Sequence, residues 1–300
     1  MRDLSNENIV HVKKDGIEYL QFRKLLEYDD IIKHAYGIGL DRNYRTSRDK
    51  ADDEKYKKAL NDYDELCSAI EIDYKNCVKP TQKHTKTVKN VVHKINIEEP
   101  DFGVEEYKNT DGLITDKKNI VLGTTNADCI LLLFFDPVKR VIANVHSGWR
   151  GTLQRISVEA VRKMQADYGC KAEDIICCIC PSIRKCHFLV HKDVQEPFYN
   201  EFKDLKEIDE IIVPVPGEDR WSIDTVKINE VILRQAGMQQ ENIIDCGICS
   251  VCNSDLIHSF RVETKEPSGW IIIKNFFPST TSPKIQSDVK PKDFQSSRDI

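Results

Sequence analysis

The chain has 300 residues, 40% of them hydrophobic and 31% charged, and a formal net charge of −5. A chain of this length and composition can bury roughly three quarters of the surface that its unfolded state exposes, which excludes a disordered or fibrous protein. The charge balance gives no global attraction to nucleic acid, no apolar run approaches the roughly 20 residues that span a bilayer, and no apolar signal-peptide core opens the chain. We therefore expect a soluble cytoplasmic protein that binds neither nucleic acid nor membrane.

The first part of the chain is predicted to form a hairpin and a long helix. Apolar segments on both sides of Lys14-Asp15-Gly16 indicate a β-hairpin over residues 9–22. Apolar residues then recur at helical intervals from residue 47 to 72, which is typical of an amphipathic helix with a solvated charged face.

The middle of the chain carries the most apolar predicted strands. Residues 78–92 are polar and contain a proline near their start, so they are predicted to form a loop that leads into a short strand. Residues 119–124, 130–135 and 141–145 are β-branched or apolar, and the last two flank a type I turn sequence with Pro137 at its second position. We therefore predict a buried β-hairpin there.

The remaining predicted elements mix helices and strands in an irregular order. Gly169 and Gly237 are expected to end the first and the last of the helices, and Asp224 is expected to cap the start of the last. Because no linker divides the elements, they imply one α+β or mixed-sheet domain over residues 1–276, followed by a disordered polar tail over 277–300. The predicted helices cover 151–168, 194–202 and 225–236, and the predicted strands cover 175–179 and 270–273.

The eleven cysteines are an odd number in a chain without an export signal, which favours thiols, metal ligands or a nucleophile over disulfides. Cys129 comes just before the first strand of the buried hairpin and His146 just after the second, so antiparallel pairing makes them neighbours. A thiolate and an imidazole there can bind zinc or form a nucleophile and base pair, and spacing alone leaves both possibilities open. A catalytic zinc site would need a third ligand, which the spacing of the other histidines does not identify.

Two other groups of cysteines have different explanations. Cys246, Cys249 and Cys252 have the C-x-x-C-x-x-C spacing that iron–sulfur proteins use, but the fourth ligand and the following proline are missing, so their role stays open. In the predicted strand near residue 178, alternation sends Cys178 and Cys180 to one face and the preceding cysteine to the other. We interpret the cysteines of this strand as packing residues.

Five short motifs occur together in this chain. They are, in chain order, Gln82-Lys-His84, Ala127-Asp128-Cys129, His146-Ser-Gly148-Trp149-Arg150-Gly151, Pro181-Ser-Ile183, and Cys249-Ser-Val-Cys252 followed by Ser259-Phe-Arg261. From about residue 30 to 262 the chain resembles the polyphenol oxidase or laccase-domain family, whose members are purine nucleoside phosphorylases with adenosine deaminase activity. The resemblance implies a single domain built as a layered α/β/β/α sandwich with mixed sheets.

The resemblance also implies a zinc enzyme of purine nucleosides. Family members bind one zinc ion through residues that here are His84, Cys129 and His146, which leaves one position open for an activated water. This water would attack C6 of adenosine to give inosine, and phosphate would cleave adenosine, inosine, guanosine or methylthioadenosine to base and sugar 1-phosphate. Arg150 and Arg261 would contact phosphate or orient the substrate. Copper would be an alternative or adventitious metal at the same residues.

The chain departs from the family pattern at three places. Cys180 precedes Pro181 where the family has glycine, Leu189 stands where a glutamate is usual, and residues 268–270 lack a frequent arginine. The loss of the glutamate matters most if its carboxylate helps proton transfer in the family. If the glutamate instead forms a hydrogen bond that orders a loop, its loss affects only that loop.

Three other functions fit parts of the sequence. Cys129 could be the nucleophile of a metal-free hydrolase, with His84 or His146 as its base. A metal-dependent oxidoreductase acting on phenols would suit the family's older name, but 8 histidines are too few for a multicopper oxidase with a type 1 and a trinuclear centre. A non-enzymatic redox or metal-sensing partner could use the cysteines of residues 246–252. The residues indicate no preferred nucleoside and no oligomeric state.

Overall fold

The computed structural model describes residues 2–44, 53–262 and 271–276. The α-helices are α1 (Arg23–Leu26), α2 (Asp53–Ala69), α3 (Trp149–Leu153), α4 (Ile156–Tyr168), α5 (Lys192–Phe202), α6 (Ile208–Ile211) and α7 (Thr225–Gln235). The strands are β1 (Ile9–Lys14), β2 (Ile17–Phe22), β3 (Lys33–Ile38), β4 (Cys77–Lys79), β5 (Val88–Asn90), β6 (Asp101–Phe102), β7 (Gly112–Thr115), β8 (Val121–Asn126), β9 (Ile130–Asp136), β10 (Val141–Ser147), β11 (Ile176–Ile179), β12 (Leu189–Val190), β13 (Ile212–Pro214), β14 (Trp221–Ile223), β15 (Ile243–Asp245) and β16 (Ile271–Phe276). The predicted tail over 277–300 and the first residues of the predicted 47–72 helix lie outside the described residues. None of the helices in the described ranges combines the length and the apolar sequence that crossing a membrane requires.

Within the described ranges, the strands form three sheets. In this part of the chain, a seven-stranded sheet has the order β1-β2-β3-β16-β8-β4-β6, and a six-stranded sheet has the order β15-β11-β9-β10-β7-β5. Both sheets are mixed, because β4 pairs in parallel with β6 and β8, and β11 pairs in parallel with β15, while the hairpin neighbours pair antiparallel. A small third sheet has the order β12-β14-β13.

The two large sheets and the helices form four layers. One buried cluster lies between the sheets and includes Leu122 of β8 and Leu133 of β9. Outside it, α4 and α7 pack on the six-stranded sheet and α2 packs on the seven-stranded sheet. Strand alternation produces these layers: Cys178 belongs to the cluster between the sheets and Cys177 to the cluster under the helices, as predicted. The predicted single α+β domain with a layered α/β/β/α sandwich of mixed sheets is confirmed, while its boundary at residue 276 stays a prediction.

Both predicted hairpins are confirmed. Asp15 and Gly16 join β1 to β2 with φ values of 52° and 79°, the left-handed pair that a type I′ turn requires. β9 and β10 pair along their whole length, and the carboxylate of Asp136 accepts two backbone N–H groups of the turn between them. The predicted elements near 119–124, 175–179, 194–202, 225–236 and 270–273 are also present, with their ends shifted by a few residues, as β8, β11, α5, α7 and β16.

Two predictions are wrong in part. Residues 77–79 form an inner strand, β4, rather than the start of a loop. Pro80 does not prevent this, because it follows the last residue of the strand and its missing N–H is not needed for the hydrogen bonds between the strands. The short strand predicted at the end of that segment is confirmed as β5. The predicted helix over 151–168 is divided into α3 and α4, because Arg155 between them has a left-handed φ of 58°. The guanidinium of Arg155 also donates a hydrogen bond to the carboxylate of Glu201 in α5.

The third sheet, α5, α6 and one face of α7 enclose a core of their own. Phe198 and Phe202 of α5 belong to it together with Ile228 and Ile232 of α7. Trp149, at the start of α3, packs against the same cluster. Because α3 follows β10 directly, this smaller layer lies next to the end of the β9–β10 hairpin where Cys129 and His146 are found.

Acid is expected to destabilise the protein through His34 of β3. Burial lowers the pKa of this imidazole from 6.5 to about 4. Its Nε2 accepts the backbone N–H of Phe22 at 2.8 Å, so the folded state needs the neutral ring. Between these two pKa values the unfolded chain binds a proton that the folded chain does not, so stability is lost as the pH falls from 6.5 toward 4.

We expect the free energy of unfolding to drop by about 2 kcal/mol between pH 7.5 and pH 5 through this group. Urea unfolding of the wild type and of His34→Gln at both pH values measures the effect. The variant should be less stable at pH 7.5 but should lose less stability at pH 5. Equal losses in the two proteins would rule out His34 as the cause.

Candidate active site

The end of the β9–β10 hairpin opposite its turn brings a thiol and an imidazole together. Ile130 pairs with Ser147, so Cys129, just before β9, comes beside His146, near the end of β10. The predicted neighbourhood of these two residues is confirmed. His84 joins them from the loop after β4, with its Nε2 3.8 Å from the Sγ of Cys129. The ligand atoms of the three side chains, hereafter the His84 cluster, lie within 4.8 Å of one another.

A buried carboxylate, Asp111, holds both histidines of the His84 cluster. Its Oδ1 accepts the Nδ1–H of His146 at 2.9 Å and the backbone N–H of His84 at 3.0 Å. Its Oδ2 accepts the backbone N–H groups of Lys83 and Thr85 and the hydroxyl of Thr85. These bonds hold His84 in a left-handed conformation with a φ of 59°. Asp111 directly precedes β7, which pairs with β10, so the sheet itself carries the carboxylate to His146.

The charges within the His84 cluster favour a thiolate and an imidazolium. Burial alone would raise the pKa of Cys129, but the charge of His146 and the hydrogen bonds of both histidines lower it to about 6. Burial alone would lower the pKa of His146, whereas the Cys129 thiolate and the Asp111 carboxylate raise it to about 9. At neutral pH the thiol is therefore ionised without an external base, which is the form that binds metals and acts as a nucleophile.

Gly148 leaves room in the middle of the His84 cluster. A Cβ atom at this position would lie 2.7 Å from the Cδ2 of His84 and 3.1 Å from the Sγ of Cys129. The φ of Gly148 is −61°, which any residue can adopt, so the site requires its small size rather than its conformational freedom. Two imidazoles and a thiolate around such a gap are a donor set that fits one transition-metal ion.

A cavity of about 440 Å³ opens beside the His84 cluster. Cys129 forms part of its lining, and most of the remaining lining is apolar. Trp149, Phe188 and Phe260 contribute aromatic rings, and Arg261 contributes a permanent positive charge. The volume and the mixture of apolar walls with a few polar groups are typical of a small-molecule binding site.

Asp128 connects three segments at the edge of this cavity. Its φ is 81°, a conformation that is uncommon for a residue other than glycine. Its carboxylate accepts the hydroxyl of Ser250 at 2.6 Å and the backbone N–H of Arg261 at 2.7 Å, and its carbonyl accepts the N–H of Ile183. These bonds offset the backbone strain and determine where the neighbouring Cys129 and the cavity-lining Arg261 lie.

The two arginines predicted as substrate contacts occupy different positions. Arg261 lines the cavity, and its guanidinium donates to the backbone carbonyl of Leu189. Arg150 stacks its guanidinium on the indole of Trp149, 4.1 Å from the ring centroid, and does not line the cavity. Their part in binding stays a prediction. Of the departures from the family pattern, Cys180 is buried between the two sheets, and residues 268–270 lie outside the described residues.

A second cluster of metal-binding side chains was missed by reasoning from the sequence. Cys186 and His187 lie beside Cys249 and Cys252, and their ligand atoms are within 4.8 Å of one another. Cys246 does not belong to this second cluster, and its Sγ instead accepts an N–H from the guanidinium of Arg184 at 3.2 Å. The C-x-x-C-x-x-C run is therefore not one ligand set. The signals that could have found the second cluster were the adjacent Cys-His pair and the C-x-x-C spacing.

Comparison with curated proteins gives relatives of about 30% identity. Human purine nucleoside phosphorylase LACC1 is 31% identical over 162 residues, which are 53% of this chain and 36% of the relative. Purine nucleoside phosphorylase YlmD of Bacillus subtilis is 30% identical over 180 residues, 59% of this chain and 63% of the relative. The chain thus spans less than two thirds of either protein. Adenosine deaminase RL5 of an unknown prokaryotic organism is 29% identical over 196 residues, 65% of this chain and 73% of the relative.

Solved structures share the fold, and a family pattern covers most of the chain. The crystal structure of the Bacillus licheniformis hypothetical protein YfiH superposes with a TM-score of 0.75 at 20% identity over 90% of this chain and 98% of the other. That of YlmD from Geobacillus stearothermophilus gives 0.74 at 18% identity over 92% and 99%. Residues 44–272 match the family described as multi-copper polyphenol oxidoreductase laccase. Since this match extends over well more than half of its length, the chain belongs to that laccase-like family.

Proposed function

We propose that the protein is a zinc-dependent enzyme of purine nucleosides that deaminates adenosine and phosphorolyses N-glycosidic bonds. The observation that carries the proposal is the cluster of His84, Cys129 and His146 beside an apolar cavity with aromatic walls. Relatives named as purine nucleoside phosphorylases and as an adenosine deaminase support the two reactions.

Each reaction has one attacking group and one leaving group. In deamination, water adds to C6 of adenosine and ammonia leaves, giving inosine. In phosphorolysis, phosphate attacks C1′ of the ribose while the bond to the base breaks, giving the free base and ribose 1-phosphate. The expected nucleosides are adenosine, inosine, guanosine and methylthioadenosine, the last of which yields the methylthio-sugar phosphate.

The zinc ion would be held by His84, Cys129 and His146. When bound, it would supply Lewis-acid activation of water at the open fourth position. The chain's own task is to keep Cys129 ionised and to orient the ring of His146 through its hydrogen bond to Asp111. Because Asp111 accepts the Nδ1–H of His146, Nε2 is the ring nitrogen that would bind a metal, and it would release the proton of the imidazolium form as the metal binds.

The cavity offers separate groups for a base and for an anion. The rings of Trp149, Phe188 and Phe260 provide stacking surface for a purine within a mostly apolar lining. Among the described lining residues, Arg261 carries the permanent positive charge, which makes it the candidate for phosphate. Arg150 remains the second candidate, because its stacking on Trp149 places it next to the cavity wall.

A metal-free cysteine hydrolase is the alternative that one observation favours. Cys129, with its low pKa, would be the nucleophile, and His146 would be its base. Asp111, which accepts a hydrogen bond from His146, would be the carboxylate that orients the base. A nucleophile needs one base, however, and a second imidazole, that of His84, approaches the same thiol. Two imidazoles at one thiolate favour the metal site.

The test measures both reactions on one preparation. Zinc-loaded protein should convert adenosine to inosine without phosphate, and in phosphate buffer it should release base and ribose 1-phosphate from inosine. A chelator should abolish both activities and added zinc should restore them, with copper as the comparison metal. Deamination that survives complete removal of metal would support the cysteine hydrolase, and zinc-loaded protein that turns over none of the expected nucleosides would refute the proposal.

The variant Arg261→Gln should separate the two reactions. A phosphate contact matters to phosphorolysis alone, so we expect the KM for phosphate to rise about tenfold while adenosine deamination keeps its rate. Steady-state kinetics with varied phosphate measure this. A parallel loss in both reactions would show that Arg261 binds the nucleoside rather than phosphate.

The variant Gly148→Ala is expected to weaken zinc binding about tenfold, because the new methyl group would displace the ring of His84 or the thiolate of Cys129. Competition with a chromophoric chelator measures the affinity. Gly151→Ala, three residues further along in α3, is the control, since a Cβ there lies 3.3 Å from its nearest neighbour, the Cγ2 of Ile156. Equal affinities for the two variants would contradict the role of the gap at Gly148.

A further inference from the structure

Four donor atoms converge at a second place in the fold, hereafter the Cys186 cluster. Cys186 and His187 lie between β11 and β12, and Cys249 and Cys252 follow β15. The Sγ of Cys186 is 3.6 Å from that of Cys249 and 3.9 Å from that of Cys252. The Nδ1 of His187 is 3.2, 3.6 and 3.5 Å from the sulfurs of Cys186, Cys249 and Cys252, respectively.

We propose that the Cys186 cluster is a structural zinc site with three thiolate ligands and one imidazole ligand. Zinc bonds of about 2.3 Å to sulfur and about 2.0 Å to nitrogen, arranged as a tetrahedron, place ligand atoms about 3.5–3.8 Å apart. The separations in the Cys186 cluster lie around these values. The C-x-x-C spacing of Cys249 and Cys252 is one that structural zinc sites use repeatedly.

The Cys186 cluster differs in kind from the His84 cluster. Four protein ligands close the coordination sphere and leave no position for water, which is the mark of a structural site, whereas the three ligands of the His84 cluster leave one position open. A zinc ion at the Cys186 cluster would therefore contribute to folding rather than to the reaction.

The geometry argues against an iron–sulfur cluster and against a disulfide. The cysteines of an iron–sulfur cluster bind different iron atoms, whereas these four donor atoms lie within 4.8 Å of one another, close enough to bind one ion. Cys186, Cys249 and Cys252 are free cysteines, and the sulfur of Cys186 is 3.6 Å or more from the other two, far beyond the roughly 2 Å of a disulfide. Cys186 and Cys252 are also exposed, and a bound zinc ion would protect these crowded thiols from oxidation.

The Cys186 cluster joins two segments that shape the cavity. Phe188, directly after His187, lines the cavity. Ser250, which follows Cys249, donates its hydroxyl to the carboxylate of Asp128. The backbones of the two segments meet in a parallel bridge between Ser182 and Cys249. A metal ion here would therefore hold the cavity wall against the segment that anchors Asp128.

Metal counting on protein purified without chelators tests this site. We expect the wild type to hold about two equivalents of zinc per chain, and Cys129→Ser and Cys252→Ser to hold about one each. Cys170→Ala is the matched control, because this cysteine is buried at the end of α4 and should leave both equivalents in place. X-ray absorption of the zinc that remains in Cys129→Ser should fit three sulfur ligands and one nitrogen ligand.

The measurements on Cys129→Ser do not depend on whether Cys252→Ser folds. Cys129→Ser protein that contains no zinc would overturn the proposal. An X-ray absorption spectrum of its zinc that fits fewer than three sulfur ligands would also overturn it. Iron with labile sulfide, or a disulfide among Cys186, Cys249 and Cys252 mapped by mass spectrometry in freshly purified protein, would overturn it as well. Failure of the proposed nucleoside activity is distinguishable, because it would leave the zinc count and the ligand set of this site unchanged.

Discussion

Replacing Cys129 by serine is expected to remove one equivalent of zinc and to lower adenosine deamination by about a thousandfold or more. A serine hydroxyl does not ionise near neutral pH, whereas the pKa of Cys129 is about 6. The variant keeps the size of the side chain but loses the anionic ligand, so the two imidazoles are left with a much weaker partner. Zinc analysis and the adenosine assay measure both effects on the same sample.

Two controls separate this result from general damage. Cys170→Ala should keep its activity, which shows that loss of a buried thiol elsewhere is tolerated. His84→Ala should resemble Cys129→Ser if His84 is a metal ligand, whereas a nucleophilic cysteine served by His146 alone would survive that change. Full activity of Cys129→Ser in zinc-loaded form would contradict the assignment of Cys129 to the metal site.

Replacing Asp111 by asparagine is expected to lower zinc affinity between tenfold and a hundredfold, about the loss found when a carboxylate behind a metal-binding histidine is removed. Asp111 accepts hydrogen bonds from five donors and is fully buried. An amide offers one acceptor oxygen and turns two N–H groups toward these donors, so the loop of His84 and the tautomer of His146 both lose their support. We also expect about 3 kcal/mol of lost stability, because buried donors are left without acceptors.

Asp136→Asn is the matched control for this variant. Asp136 is equally buried and accepts two backbone N–H groups, but it lies at the turn end of the same β9–β10 hairpin. Both N–H groups bond to its Oδ1, which the amide oxygen of asparagine can replace, so this variant should lose less stability than Asp111→Asn and its zinc affinity should stay at the wild-type value. If Asp111→Asn were to bind zinc as tightly as Asp136→Asn, the carboxylate would act on the fold alone and not on the metal site.

Local chemistry explains why much of the fold could be predicted. The turn at Asp15 and Gly16, the proline turn of the β9–β10 hairpin and the glycine that ends α4 act over a few residues, so their sequence signals are strong. The break at Arg155 was not predictable, because its left-handed conformation is accompanied by a contact with Glu201 of another helix.

The sequence by itself determined the α+β class and the proximity of Cys129 to His146, since one hairpin joins the two residues, while the layered sandwich was implied by the family resemblance. Only the tertiary structure decided the rest. Asp111 reaches His146 through the β7–β10 pairing, and Cys186 meets Cys252, which is 66 residues away along the chain. Spacing along the chain does not encode such contacts, because they arise from the packing of separate segments.

The cysteines of residues 246–252 show the same difference between what the sequence and the tertiary structure determine. Their spacing resembles that of iron–sulfur ligands but left the role of the cysteines open, and in the structure Gly247, with a φ of 69°, turns the backbone between Cys246 and Cys249. Cys246 is then buried beside an arginine, while Cys249 and Cys252 join ligands from a distant loop. Residue types and spacing could name the candidate ligands, and the three-dimensional path of the backbone decided which of them share a site.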